Sequence, residues 1–365
     1  MQRLCLVFLC ASALTVICAH ADEFSWQLAG GARNSDVGNS AETDGATLTA
    51  TYYFRPVDDT MGPYALAAFL DRTSRIGASY NEDKTTALAP IFRIGPIMGP
   101  LPAPGPATAT VVDRGAGRSL SGRHVWRTSG WYVGAALAEA DAAHPAPLPT
   151  SFSVLADDVS SGSLLLGKYV GASTAVELSF EATEATLTSE LPLFCLRGLC
   201  SIAPIARLTM TLETDSRNIG ISAQHVGRLG KLAYSLSGGV TSNDVDATLD
   251  FDEIPIAMPV PLPVFPAPPP AGGFVSVRPS ATSAGRRERY AVTGELFPTQ
   301  ALGLRAGYAR WDADASLDES YELGATWFFR RNIGARVTIS RTKTDLPVRT
   351  ADDVESVTLQ LIGRL

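Results

Sequence analysis

Chemistry in a protein chain needs reactive groups at usable spacing, and this 365-residue sequence offers few of them. Its histidines are His20, His124, His144 and His225, and none belongs to an HExxH pair that would hold zinc. The glycines follow strand periodicity and turns, not a phosphate-cradling loop, and no serine sits in a nucleophile elbow. A dispersed Ser/His site is the one enzymatic alternative, so the chain reads as a non-enzyme that needs no cofactor and no metal. Cys195 and Cys200 flank Leu196-Arg197-Gly198-Leu199. Redox pairs favour CxxC and structural zinc needs more than two ligands. In an oxidising compartment the spacing therefore predicts a local loop disulfide, contributing roughly 2 kcal/mol.

The remaining candidate chemistry is recognition by charge. Arg75, Arg123, Glu177, Glu181, Gln224, Arg305, Glu322, Arg336 and Gln360 occupy the polar parity of segments that alternate apolar and polar residues. Two arrangements are open to such groups. Opposed Arg and Glu side chains put a transverse field across a water-filled constriction, or they pair with one another and fill the interior.

Strands must position these groups. Leu48, Ala50, Tyr52 and Phe54 alternate with Thr47, Thr49, Thr51 and Tyr53; Tyr321, Leu323, Ala325, Trp327 and Phe329 alternate with Glu322, Gly324, Thr326 and Phe328. A strand sends successive side chains to opposite faces, so each segment has one greasy and one wet face. No segment beyond residue 21 carries a convincing helical stripe, and the fold class is all-β.

Fourteen strands are predicted, near 23–33, 45–55, 73–82, 118–127, 130–140, 160–170, 173–185, 214–227, 230–242, 286–297, 301–312, 317–329, 332–344 and 354–365. Connections after the even-numbered strands are tiny, as at Thr128-Ser129, Gly171-Ala172 and Arg330-Arg331, with 56–72 the one long exception. Connections after odd-numbered strands are often long: 83–117, 141–159, 186–213 and 243–285. Short turns at one end, long loops at the other and an even strand count match a closed antiparallel transmembrane β-barrel, with short periplasmic turns and long extracellular loops. A soluble sandwich also alternates, but it has no reason to gather its long loops at one end. Trp26, Tyr52, Phe54, Trp126, Trp131, Trp327 and Phe329 fall near strand ends, where an interfacial girdle sits. Closure follows from hydrocarbon's inability to satisfy backbone N–H and C=O groups.

Two stretches imitate other things. Residues 1–21 carry Arg3, an apolar run to Cys18 and the small-x-small pattern Ala19-His20-Ala21, which predicts a cleaved signal peptide and a mature start at Asp22. Residues 254–275 hold no charge, yet their prolines forbid both helix and interior strand, so this segment and its weaker copy at 90–106 are expected as stiff loops outside the ladder. The formal net charge of −7 excludes a general nucleic-acid binder, and 45% hydrophobic with 18% charged residues excludes a disordered chain or long coiled coil.

The mature start DEFSWQLAG, the run TLTATYYFRPVDDTMGPYALAAFLDRTSRIGASYNE, and the later IGISAQHV, PTQALGLRAGYAR and ELGATWFFRRNIGARVTISRTKTD together resemble the general bacterial porins of Gram-negative bacteria. The resemblance covers most of the mature chain, apart from the Pro-rich loops. It implies an outer-membrane barrel after Sec-type export, with outer-membrane lipid, small solutes and the barrel-assembly machinery as partners. The aromatic last residue that such machinery commonly reads is replaced here by Leu365. The expected function is passive diffusion of small hydrophilic solutes. The alternative is a non-conducting surface protein whose extracellular loops bind a partner or apolar ligand.

Overall fold

The computed structural model describes residues 23–37, 41–60, 62–90, 108–143, 153–192, 207–251, 254–256, 275–277, 280–313, 316–345 and 353–365. The expected signal peptide, Cys195 and Cys200, and most of both Pro-rich stretches lie outside the described residues.

Fourteen strands close into one antiparallel barrel. They are β1 (Glu23–Val37), β2 (Ala41–Asp58), β3 (Arg75–Pro90), β4 (Thr108–Trp126), β5 (Trp131–Ala143), β6 (Ser153–Val170), β7 (Thr174–Pro192), β8 (Arg207–Leu229), β9 (Leu232–Phe251), β12 (Ser280–Phe297), β13 (Leu302–Ala313), β14 (Ser316–Arg330), β15 (Ile333–Asp345) and β16 (Val354–Arg364). Each of these fourteen pairs with the next of them along the chain, β9 with β12 included, and β1 closes the ring on β16, with Gln27 opposite Arg364 and Val37 opposite Val354. Ser25 and Trp26 donate backbone bonds to the Leu365 carbonyl, so the seam is tied at the short-turn end. The short turns are built for tightness: Gly130 takes φ 73°, a left-handed conformation that an L side chain adopts only with strain.

Two three-residue strands, β10 (Ile254–Ile256) and β11 (Val275–Val277), pair only with each other, apart from the barrel. The ends of the second Pro-rich stretch thus stand outside the ladder.

The greasy parity faces outward. Leu137, Leu164 and Leu323 are 66%, 64% and 65% exposed, whereas a packed sandwich core would hide them. On β14 the outward row runs Tyr321, Leu323, Ala325, Trp327, Phe329, and eight residues of strand tilted about 40° rise roughly 20 Å, close to an outer-membrane apolar band. Aromatic pairs mark the short-turn edge of this belt: Trp26–Tyr52 centroids lie 4.9 Å apart and Trp327–Phe329 6.0 Å. Outward charges begin beyond the other edge, as in Leu137 followed by Glu139 and Asp141 on β5.

The strand boundaries expected at the short turns hold to within a few residues, but those at the long-loop end fall short. β4 begins at Thr108, not 118, and β8 at Arg207, not 214. The oil–water contrast that reveals a strand exists only where one face meets the apolar belt. Above it both faces are polar, so the ladder continues without its signature.

The long exception among the short connections is a plug. Between β2 and β3, Pro63 leads into a 3₁₀ turn (Tyr64–Leu66) and then a four-residue helix α1 (Ala67–Leu70). Alanine-rich and free of charge, this run favours helix and must hide its apolar side chains. They are hidden inside the barrel. Ala67 packs with Phe24, Tyr53 and Val57 of β1 and β2, and Phe69 joins the cluster of Val125, Tyr132, Tyr169 and Ala175 from β4 to β7. Leu66 meets Val226 and Phe297, while Tyr64 and Ala65 meet Ala29, Phe328 and Ile362. The plug therefore reaches inward side chains around most of the circumference. It also explains why Tyr53 and Phe328 interrupt the wet parity: they seat the plug.

Candidate functional site

The plug is pinned by arginines. Arg127, in the β4–β5 turn, places Nη2 2.7 Å from Asp71 Oδ1 and donates to the Asp71 backbone carbonyl as well. Asp71 also accepts a 2.7 Å bond from Thr73 Oγ1. Arg72 ends the helix in the left-handed region at φ 51°, donates to the Gly171 carbonyl and lies 4.8 Å from the Tyr169 ring centroid. Arg364, buried at the seam, donates from Nη2 to the Tyr64 carbonyl at 2.8 Å while its guanidinium sits 4.5 Å from the rings of both Phe24 and Phe328. Each clamp joins the plug to a different arc of the wall.

Above the plug lies a cavity of about 450 Å³. Four of the residues singled out in the sequence line it: Arg75, Arg123, Glu177 and Gln224. Arg75 and Arg123 are directly opposed across β3 and β4. Arg123 Nη2 lies 2.6 Å from Glu177 Oε2, the same oxygen that accepts a 3.0 Å bond from the Tyr132 hydroxyl, and its guanidinium covers the Tyr132 ring at 4.6 Å. Gln224 donates to Ser235 Oγ at 3.1 Å.

A second cluster occupies the wall from β12 to β16. Arg305 Nε is 2.6 Å from Glu322 Oε1, and Arg336 Nε donates to Thr326 Oγ1 at 3.0 Å, with Gln360 opposite Arg336 in the β15–β16 register. Glu181 stands apart on β7, accepting a 3.4 Å bond from Asn218. All nine residues fall on the parity opposite the exposed apolar rows, but the structure divides them between two walls. The two Arg–Glu contacts among these nine residues each join strands of one wall, so charge is balanced locally at Arg123–Glu177 and Arg305–Glu322.

Three participants escaped sequence reasoning. Arg289, opposite Trp311 across β12–β13 and 5.0 Å from its ring, lines the cavity. Glu295 stands opposite Arg305 in register. The plug itself escaped, although Ala65-Leu66-Ala67-Ala68-Phe69-Leu70 was a usable signal: six apolar residues in a connection between strands need a place to hide. Outside the barrel, Lys168 lies 5.0 Å from the Trp131 ring and the His225 Nδ1 2.8 Å from Thr174 Oγ1, both at the short-turn edge of the belt where polar tips reach water.

Comparison with known proteins bears on the architecture. No protein-family profile matches the chain, and no curated protein matches it. Among solved structures it is similar to the CymD monoaromatic hydrocarbon channel, at 9% identity over 94% of this chain and 89% of that one, with a TM-score of 0.53. It is also similar to the Acinetobacter baumannii outer membrane protein Omp33 (13% identity, 95% and 100% coverage, TM-score 0.48) and to the P. putida toluene transporter TodX (10%, 94% and 90%, TM-score 0.46). The first of these carries the likeness, which is one of fold, a closed antiparallel β-barrel.

Proposed function

We propose that this protein is a channel of the Gram-negative outer membrane that passes small hydrophilic solutes down their gradient, without cofactor or energy coupling. The observation that carries the reading is the division of side chains. Exposed Leu, Ile and aromatic residues ring the outside, while the inside holds a polar cavity walled by arginine, glutamate, serine and threonine. An Arg or Lys on the outer face at mid-depth would cost about 2–4 kcal/mol, which is the physical reason for charges to collect within. In this reading the short turns and the plug face the periplasm, the long loops face outward, and the plug makes the channel restrictive at its inner mouth. Outer-membrane lipid and the barrel-assembly machinery are the partners expected of such a chain.

Single-channel recording in planar bilayers tests the proposal. Folded protein should give discrete current steps, and a variant lacking residues 62–72 should give larger ones. Absence of steps from both would overturn the channel reading. The plug gives some support to the second reading, a non-conducting barrel whose loops bind a partner, and that result would favour it.

A further inference from the structure

The cavity above the plug has a composition that a general water-filled passage does not require. Its charged lining is Arg75, Arg123, Arg289 and Glu177. Glu177 is already committed, since one of its oxygens holds both Arg123 and the Tyr132 hydroxyl. Among the described residues neither Arg75 nor Arg289 forms an ion pair with a carboxylate. Three guanidinium groups against one occupied carboxylate leave the chamber with an excess of positive charge. Arg75 and Arg123 are cross-strand partners, and like charges set directly opposite destabilise a sheet. An anion between them would remove that repulsion, and guanidinium forks match a carboxylate's two oxygens.

The chamber's base is aromatic. Phe69 of α1, half-buried, borders the cavity and packs on Tyr169 at 5.5 Å, which packs on Tyr132 at 5.1 Å; both tyrosines are buried behind it. Rings favour offset or edge-on contact with other rings. At about 450 Å³ the chamber is of the size that encloses small organic molecules.

Resting on the channel reading for the route of entry, we infer that this chamber is a binding site for small aromatic carboxylates: the carboxylate lies between Arg75 and Arg123, with Arg289 adding positive charge from the facing wall, and the ring lies against Phe69, which Tyr169 and Tyr132 back. The plug supplies part of the site, so a bound solute rests on the element that closes the inner mouth.

Calorimetric titration of detergent-folded protein tests the site without any current. Benzoate should bind at least ten-fold more tightly than benzyl alcohol, which keeps the ring and lacks the charge, and than acetate, which keeps the charge and lacks the ring. Arg75→Gln should weaken benzoate about ten-fold while benzyl alcohol stays unchanged; Arg289→Gln, on the facing wall, should weaken it several-fold and serves if Arg75→Gln does not fold. Benzoate binding no tighter than both analogues, or unaltered in a folded Arg75→Gln or Arg289→Gln variant, overturns the inference. Because binding is read in detergent, a silent bilayer together with selective benzoate binding would overturn the channel and keep the site. Current steps without such binding would do the reverse.

Discussion

Replacing Arg127 by alanine attacks the plug at its best-defined latch. The guanidinium is only partly exposed, and its partner Asp71 has a side chain just 7% exposed. Removing one member of a buried pair costs about 3–5 kcal/mol, because the other charge stays buried without compensation. Two features lower that figure: water reaches Arg127, and the Thr73 hydroxyl still donates to Asp71. A loss of about 2 kcal/mol of plug docking is the reasonable expectation, and at 1.4 kcal/mol per factor of ten this favours the undocked plug about thirty-fold. The barrel wall should be untouched, since Arg127 sits in a turn and not in the ladder. Single-channel recordings should therefore show opening events about thirty times more frequent, each with the conductance of the rare wild-type openings. Arg118→Ala, which removes an ion pair with Glu139 on the outside, is the control and should change nothing. An unchanged opening frequency in folded Arg127→Ala protein would refute the assignment of the plug as the restriction.

Four further outcomes follow from the same geometry. Leu323→Arg places a charge in the middle of the outward belt and should lower folding stability in lipid vesicles by about 2–4 kcal/mol, read from the heat-modifiable gel shift, whereas Thr338→Arg on the inner parity should lower it far less. Gly167→Ala puts a Cβ into the ring of Tyr132, its cross-strand partner, and should cost about 1–3 kcal/mol in denaturant titration. Glu322→Gln removes the carboxylate paired with Arg305 and should move the reversal potential in a salt gradient toward anion preference. The mature chain should resist thiol alkylation until reduced, as a Cys195–Cys200 disulfide requires; ready alkylation of the untreated protein would exclude that bridge.

Much of this architecture is legible in the sequence by itself. Strand count, closure and the direction of each side chain follow from alternation, because within the apolar belt every residue records whether it meets oil or water. The position of the short turns was equally readable, since Leu229 and Leu232 or Arg330 and Ile333 leave space only for a tight reversal. Tertiary structure decided what lies inside. Arg123 and Glu177 stand on β4 and β7, strands that are not neighbours in the ladder, and only the curvature of the closed sheet brings them to 2.6 Å. The same curvature lets one short helical run touch arcs of wall contributed by residues as distant in sequence as Phe24 and Phe328. Alternation is a local property and cannot report which inward side chains share the same small volume. That sharing turned a row of polar positions into two charged walls, and one anomalous connection into the floor of a chamber.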